Sequence, residues 1–491
     1  MAHVIVVENP KRWPLHVPGT PVISAKSYLT DTHYSELRNL KVYNLCRSYR
    51  YQSAGYYVSL LAMARGHKPL PSITTIQDMK TLTITRIVAE DLEQIIQKSL
   101  RSIKSHTFTL SIYFGRNVAK TYDELSQRLF RLFEAPLLRA EFRHEDNQWA
   151  LHGIRPIAAS DIPESHQPFA VEAATEYFAK SRAPARRRAQ TQYELAILND
   201  PNEKNPPSNR GALRKFYAAA RRLRMGVEFI DRDDYGRIAE FDALFIRETT
   251  AVNHHTYRFA RRAIAEGLVV IDDPDSIAKC SNKVYLAEVM DRYEIPTPKT
   301  LIIHRDNREL IRVAMKLPCI LKQPDSSCSL GVKKAETEAE LDEIVERLLE
   351  KSDLIIAQEF LRTDMDWRIG VLDRQPLFAC KYFMVKEHWQ IAHTQGEETR
   401  FGQVEAVRLS DVPPIVVDTA VRAARLIGDG LYGVDLKLVG NRAYVMEVND
   451  NPNIDAGQED KFLKNELYDR VMNVILARLK VKTNGQGRKP T

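Results

Sequence analysis

The stretch that most limits what this chain can fold into is "YGVDLKLVGNRAYVMEVNDNPN", Tyr432 to Asn453. Two apolar, period-two runs flank Gly440, Asn441 and Arg442, which predicts an antiparallel hairpin. The spacing Glu447-x-Asn449 puts an acid and an amide on one face of the second strand. The polar cluster Asn449-Asp450-Asn451-Pro452-Asn453 then ends that strand. If Gly440, Asn441 and Arg442 form the loop, Asp435 lies directly opposite Glu447. A two-residue loop places Asp435 beside the opposite face, unless a bulge corrects it. The three-residue register therefore predicts a convergent oxygen set, Asp435, Glu447 and Asn449. Carboxylates plus an amide suit Mg²⁺ or Mn²⁺, with water and phosphate oxygens in the remaining positions.

A chain of 491 residues is too long for one core, so two to four domains are expected. With 44% hydrophobic and 27% charged residues it has the make-up of an ordinary soluble protein. No apolar run approaches the roughly 20 residues of a membrane helix. The start, "MAHVIVVENPKRWPL", reads as a first strand and not as a signal peptide, so a cytoplasmic protein is expected. Cys46, Cys280, Cys319, Cys328 and Cys380 are scattered and never in a C-x-x-C pair. That argues for a reducing compartment and against zinc or a disulfide framework. A net charge of +7 fits anionic ligands such as nucleotides, and is too small to argue for nucleic acid.

Two stretches read as joints: the basic "KSRAPARRRAQTQ", Lys180 to Gln192, and the tail "KVKTNGQGRKPT", Lys480 to Thr491, expected to be disordered. The run Arg186 to Arg188 reads as solvated linker charge. It lacks the interleaved aromatics of a base-stacking surface, so RNA binding is disfavoured. The expected division is 1–180, a mixed α/β N-terminal domain; 181–192, a basic linker; 193–280, a small parallel sheet; 281–479, an α+β domain; and 480–491, the tail. In the first, a helix begins near Ser53 with Gly66 at its end, "HTFTLSIYFG" is a strand, and Thr121 to Pro136 is an amphipathic helix. In the third, strands and helices alternate, including "NRGALRKFYAAARRLRMG", a helix ending at Gly226.

Cations precede the hairpin. "KLPCILKQPD" is an apolar strand with Lys322 near its end, followed by the small-residue loop "DSSCSLGV". A lysine there can clamp phosphate, or simply snorkel from the strand end. "LIIAQEFL" ends in Gln358-Glu359-Phe360, and "DMDWRIGVL" sets Asp366 and Arg368 on one face of a strand. His254 and His255 are adjacent and cannot share a face of one helix or strand, which argues against a joint metal role.

The order Lys283, Lys322, a small-residue loop, Gln358-Glu359-Phe360, Asp366-x-Arg368, Asp435 and Glu447-x-Asn449 resembles the ATP-grasp superfamily, most closely the RimK-like glutamate ligases. The likeness is carried by "QEFLRTDMDWRIGVL", "YGVDLKL" and "VMEVNDNPN" and covers roughly Tyr193 to Leu479. Residues before the basic joint resemble the N-terminal domain of a longer RimK-like subgroup, expected to recognise an acceptor or partner. The resemblance implies a pre-ATP-grasp domain over 193–280 and an ATP-grasp fold over 281–479. Lys283 and Lys322 would hold ATP phosphates. Gln358, Glu359 and Phe360 would receive adenine, with Asp366 near the ribose or adenine. Arg368 would face the γ-phosphate or an acyl phosphate. Asp435, Glu447 and Asn449 would hold two Mg²⁺ or Mn²⁺ ions.

The implied reaction is ATP-dependent joining of a carboxylate to an amine, with glutamate the favoured amino acid and a peptide or protein carboxylate the acceptor. Homo-oligomers occur in the family. A small-peptide ligase of the glutathione-synthetase type, or an ATP-binding regulatory protein without turnover, are the alternatives. This chain departs from the family in a Ser-rich mobile loop whose one glycine is Gly331. It also lacks the family's arginine pair in "ACKYFMVKEHW", which leaves Lys381 or Lys386 as the substrate-side cation.

Overall fold

Strand β1 (His3–Val7) sets the N-terminal sheet: four of its five residues are buried, and it pairs in parallel with β2 (Val22–Ser24) and β3 (Lys41–Asn44). The protein is seen in a computed structural model, which describes residues 3–13, 20–37, 40–79, 92–145, 148–182, 191–325, 331–385, 389–395 and 398–487. The chain divides into two compact units: Met1–Gln190 with Ile230–Phe241, and Thr191–Phe229 with Asp242–Thr491. Of the expected basic linker 181–192, residues 183–190, with Arg186 to Arg188, lie outside the described residues.

In the first unit, β4 (Lys68–Leu70) completes a sheet in the order β2-β1-β3-β4. The expected helix is present as Ala54–Ala64. The Ser53 hydroxyl accepts the Tyr56 N–H at its start, and Gly66 follows its end at φ 69°. A second, antiparallel sheet joins β5 (Thr107–Tyr113), β6 (Leu137–Glu145) and β7 (Gln148–Pro156). The amphipathic helix expected over Thr121 to Pro136 is shorter, Asp123–Leu132, and packs Leu125, Leu129 and Leu132 into the core of this sheet. The 3₁₀ segment Arg232–Glu240 also belongs to this unit. Ile238 is buried, the Glu240 carboxylate takes the Lys41 ammonium, and its carbonyl accepts from Lys68.

In the second unit, β8 (Tyr193–Leu198), β9 (Met225–Ile230), β10 (Ala243–Ile246) and β11 (Val269–Ile271) form a sheet in the order β11-β10-β8-β9, with β10 parallel to both β8 and β11. One expected boundary is corrected. The helix after β8 is Arg210–Arg222 and does not reach Gly226. Arg224 makes the left-handed turn at φ 59°, and Gly226 is already inside β9. It is small because the Glu194 carboxylate occupies the space a Cβ would need.

The next sheet is antiparallel, in the order β12-β15-β13-β14, from β12 (Thr300–Ile303), β13 (Cys319–Lys322), β14 (Val332–Ala335) and β15 (Ile355–Glu359). The helix Glu338–Leu349 covers its apolar side through Leu341, Val345 and Leu348. The last large sheet, β20-β17-β16-β21-β22, joins β16 (Met365–Leu372), β17 (Gln375–Phe383), β20 (Val404–Val407), β21 (Leu431–Val439) and β22 (Arg442–Asp450). The strands β18 (Ala392–Gln395) and β19 (Glu398–Phe401) pair as a separate ribbon. One face of the five-stranded sheet packs Ile369, Val434 and Leu436 against the helix Pro414–Ile427. The final helix, Asn465–Gly487, buries Leu467, Val471 and Ile475 beside Phe216. It continues past residue 480, where a disordered tail was expected, and Thr483 Oγ1 lies 3.3 Å from Tyr193 Oη.

Candidate active site

The hairpin β21–β22 reaches the expected face by the route that was not expected. Val439 pairs with Arg442, so the loop is the two residues Gly440 and Asn441, with Gly440 at φ 57°. That loop alone would set Asp435 opposite Met446, one residue short of Glu447. The register shifts between Asp435 and Leu436, where Met446 is the extra residue, and Asp435 comes to lie opposite Glu447. The three-residue loop is therefore corrected to a two-residue loop plus a bulge. Asn449 lies two residues beyond Glu447, and its Nδ2 donates to Asp435 Oδ2 at 3.2 Å.

On β16, Arg368 pairs in register with Asp435 of β21. Its Nε and one terminal nitrogen donate to the two Asp435 oxygens at 2.6 and 2.7 Å, a bidentate pair. Asp366 is two residues before Arg368 and faces the same way. It accepts from Lys437 Nζ at 2.5 Å, and the same ammonium donates to Thr363 Oγ1 at 2.8 Å. Lys437 escaped the sequence reading. The signal was present, since Asp435-x-Lys437 has the same period-two spacing that selected Glu447-x-Asn449. Tyr382 on β17 also escaped it. Its ring lies 4.5 Å from the Arg368 guanidinium carbon, and its hydroxyl donates to Glu459 Oε1 at 2.9 Å.

Lys381 is not brought to this face. It pairs with Trp367, so its side chain leaves on the opposite side of the sheet and rests over the Trp367 ring at 5.4 Å. The strand's alternation, which turns Asp366 and Arg368 inward, turns Trp367 and its neighbour Lys381 outward. Lys386, the other expected substrate-side cation, lies outside the described residues, as do residues 326–330 of the small-residue loop.

The other wall comes from the four-stranded sheet. Lys322 ends β13, and its Nζ donates to Gln358 Oε1 at 2.7 Å; Gln358 Nε2 donates onward to Thr300 Oγ1 at 2.9 Å. Lys283 is the first residue of the helix Lys283–Arg292, capped by Asn282, whose side-chain oxygen accepts from Val284 and Tyr285. Lys283 Nζ lies 2.9 Å from Glu447 Oε1. A cation at a helix N-terminus opposes the helix dipole, so the nearby carboxylate is what holds it there. Glu359 and Phe360 follow Gln358 at the strand end. Phe360 meets Trp389 edge to face at 6.0 Å, and the Lys334 ammonium stands 5.3 Å from the Phe360 ring.

Lys283, Lys322, Gln358, Glu359, Phe360, Asp366, Asp435, Lys437 and Glu447 line one cleft of about 800 Å³, open mouth included. Arg368 and Asn449 stand behind Asp435. Burial pushes the Lys322 ammonium down to about 8; Lys283 and Lys437 push the same way and Glu447 opposes them. Burial works against the Glu447 carboxylate, yet Lys283, Lys322 and Arg368 hold it below the ordinary range. Burial lifts Asp366 above its usual range, with Lys437 opposing. Three oxygen donors on one face suit a hard cation, and the ammonium groups facing them suit the phosphates that accompany it.

Beyond Asn449 the chain turns sharply, with Asn451 at φ 45°. The fully buried Arg247, at the end of β10, holds this turn. It donates to Asn451 Oδ1 at 2.7 Å and to the Pro452 carbonyl at 2.8 Å. The Asn451 N–H donates to Asp272 Oδ2 at 2.5 Å. Arg247 therefore fixes where β22 stops, a role that its place at the end of an apolar run does not announce.

Residues 25–173 match the family model of the RimK-like ATP-grasp N-terminal domain, and residues 280–475 match that of the RimK-like ATP-grasp domain. Among curated proteins, the chain is 26% identical over 226 residues to a probable alpha-L-glutamate ligase 1 of Hahella chejuensis, covering 45% of this chain and 72% of that protein. It is 27% identical over 223 residues to a probable alpha-L-glutamate ligase of Vibrio vulnificus, covering 45% of this chain and 71% of that one. Among solved structures, it is similar to D-alanine–D-alanine ligase from Bacillus anthracis, with a TM-score of 0.47 and 13% identity over 59% of this chain and 99% of that one. Two family matches along the chain, the second spanning the paired lysines and carboxylates of the cleft, make this protein a member of the RimK-like ATP-grasp ligase family.

Proposed function

We propose that this protein is an ATP- and Mg²⁺-dependent carboxylate–amine ligase that adds an amino acid, glutamate first among the candidates, to a peptide or protein carboxylate. The observation that carries this reading is the convergence of Lys283, Lys322, Asp435 and Glu447 on one cleft. Lys283, Glu447 and Asp435 each have a charged counterpart that Mg-ATP can replace, and Lys322 has only the neutral Gln358. Lys283 leans on Glu447 and Arg368 on Asp435, so phosphates can take the cations while a metal takes the carboxylates. Asp435, Glu447 and Asn449 would hold one or two Mg²⁺ or Mn²⁺ ions. A bound ion supplies charge neutralisation at the phosphate oxygens.

The remaining steps fall to side chains and substrates. Lys283 and Lys322 hold the phosphates, and Glu359 and Phe360 form the edge against which adenine lies. The acceptor carboxylate oxygen attacks the γ-phosphorus. The bond to the ADP oxygen breaks, leaving an acyl phosphate. The amine then attacks the carbonyl carbon, the carbon–oxygen bond to phosphate breaks, and a proton leaves the nitrogen. Arg368 and Lys322 offset the charge that builds during both steps. In this reading, 193–280 and 281–479 act together as pre-ATP-grasp and ATP-grasp domains, and 1–180 selects the acceptor. The names of the Hahella and Vibrio relatives favour glutamate.

The test is to incubate the full chain with ATP, Mg²⁺ and a panel of amino acids and peptides. ADP and phosphate are expected only when a carboxylate and an amine are both present. Mass spectrometry is expected to find the acceptor heavier by whole amino-acid residues. Phosphate release with no dependence on an acceptor would defeat the reading.

A further inference from the structure

Outside the cleft, His254, His255 and Glu248 come together. Their neighbouring positions in the sequence argued against joint action of the two histidines, because neighbours on one helix or strand diverge. The structure removes that objection, since a helix starts between them. His254 is the extended N-cap residue (φ −105°, ψ 159°), and His255 opens the helix His255–Ala265. The change of backbone swings both rings to one side, with centroids 4.0 Å apart. Glu248, two residues past the end of β10, meets them. Its Oε1 lies 2.5 Å from His255 Nε2, and one ligand atom from each of the three residues lies within 4.8 Å of the others.

Glu248 is 3% exposed, and its second oxygen, Oε2, is buried with no hydrogen-bond partner among the described residues. A buried carboxylate oxygen without a donor is costly, and a bound cation would supply the contact that Oε2 lacks. We infer that Glu248, His254 and His255 form a site for a divalent transition ion of the zinc class, separate from the oxygen-lined ATP cleft. Two imidazole nitrogens and one carboxylate, with a fourth position open, are a donor set for Zn²⁺. Nitrogen donors select against Mg²⁺, which prefers oxygen throughout. Donors on one Zn²⁺ stand about 3.3 Å apart for bonds of about 2.0 Å, so an ion would part the Glu248–His255 contact and draw in the wider pairs. The outer contacts are in place: His254 Nδ1 stands 3.1 Å from Thr256 Oγ1, which orients the ring. A helix N-terminus disfavours a cation. Glu248 opposes that, and so does the Glu203 carboxylate, which accepts the Thr249 N–H.

The site lies beyond the carboxyl end of β10, the side on which open α/β sheets take ligands. Its loop is tied to the end of β22. Asn451 Nδ2 donates to the Glu248 carbonyl at 2.6 Å, and Thr250 Oγ1 to Asp450 Oδ2 at 2.7 Å. An ion bound here therefore braces the turn that follows Asn449, whatever reaction the cleft performs.

The experiment is calorimetric titration of the metal-stripped full chain with zinc chloride in the presence of excess Mg²⁺. One saturable equivalent is expected, with a rise in melting temperature. Glu248→Gln and the double variant His254→Ala/His255→Ala are expected to bind it about tenfold more weakly or worse, since even an outer-shell partner is worth that much. Asp435→Asn is expected to keep the equivalent; its loss there would assign the zinc to the ATP cleft and overturn the inference. Zinc-edge X-ray absorption on the wild-type chain needs no variant to fold, and is expected to show a first shell at about 2.0–2.1 Å containing two imidazole nitrogens. No saturable equivalent, unchanged binding in the double variant, or an all-oxygen shell would each overturn it.

Discussion

The two walls of the cleft handle charge in opposite ways. On the five-stranded sheet each acid is already matched: Asp435 by Arg368, Asp366 by Lys437, and Glu447 by Lys283 from the facing helix. On the four-stranded sheet Lys322 is met by a neutral amide, Gln358, which is itself anchored by Thr300. A matched wall is stiff, because removing either partner strands a buried charge. Lys322 keeps a charge whose direct contact offsets nothing, and burial has lowered its pKa to about 8. The matched wall therefore reads as the frame and Lys322 as the group waiting for an anion.

The matched wall should show its largest response in stability. Lys437 and Asp366 side chains are only 9% and 14% exposed. Lys437→Met leaves Asp366 buried without its cation and is expected to cost about 3–5 kcal/mol. The double variant Lys437→Met/Asp366→Asn is expected to recover much of that loss in urea unfolding. A cost near zero for the single variant would mean that the pair is not part of the frame.

Glu447→Gln keeps the shape of the wall and removes one charge. Turnover is expected to fall about 10²- to 10³-fold, the cost of losing one charge-stabilising group from an active site. The measurement is ADP formation with saturating ATP and amine. Unaltered turnover would remove Glu447 from the metal set and break the reading of this wall.

On the unmatched wall the expected effect is a pH dependence. The folded Lys322 has its pKa lowered to about 8, so its positive charge is present below that pH and lost as pH rises through it. ATP affinity is therefore expected to be flat in acid and to fall above about pH 8, by up to about tenfold per unit. Lys322→Arg, whose guanidinium stays charged, is expected to remove that alkaline limb. Calorimetric ATP binding at a series of pH values decides it; an identical limb in the arginine variant would locate the titration elsewhere.

The sequence resolved the two walls unequally. Period-two spacing in β16 and β22 was enough to set Asp366 with Arg368, and Glu447 with Asn449, because alternation is a local property of a strand. Cross-strand register is not local. Asp435 met Glu447 only through the bulge at Met446, a device that composition does not announce. The end of the helix Arg210–Arg222 was misplaced for a similar reason: Gly226 is small to admit the Glu194 carboxylate, and the turn falls to Arg224. The pairing of His254 with His255 was invisible because it depends on where one helix begins.

The smallest predicted effect tests the register directly. The resemblance cast Lys381 as the cation nearest the substrate, whereas β17 pairs it with Trp367 on the face turned away from Arg368. A lysine there contributes a cation–π contact and chain packing, together about 0.5–1 kcal/mol. Lys381→Ala is therefore expected to lower stability by that amount and to change KM for the amino acid by no more than about twofold, because its charge is screened by the sheet and by solvent. Tyr382, its neighbour, takes the inward position. Tyr382→Phe leaves Glu459 Oε1 without its donor, Oε2 keeping the Asp455 N–H, and is expected to cost about 1–3 kcal/mol of stability, more than the lysine beside it. If Lys381→Ala instead raised KM tenfold while Tyr382→Phe was silent, β17 would have to be shifted by one residue, and the face assigned to Arg368 would shift with it.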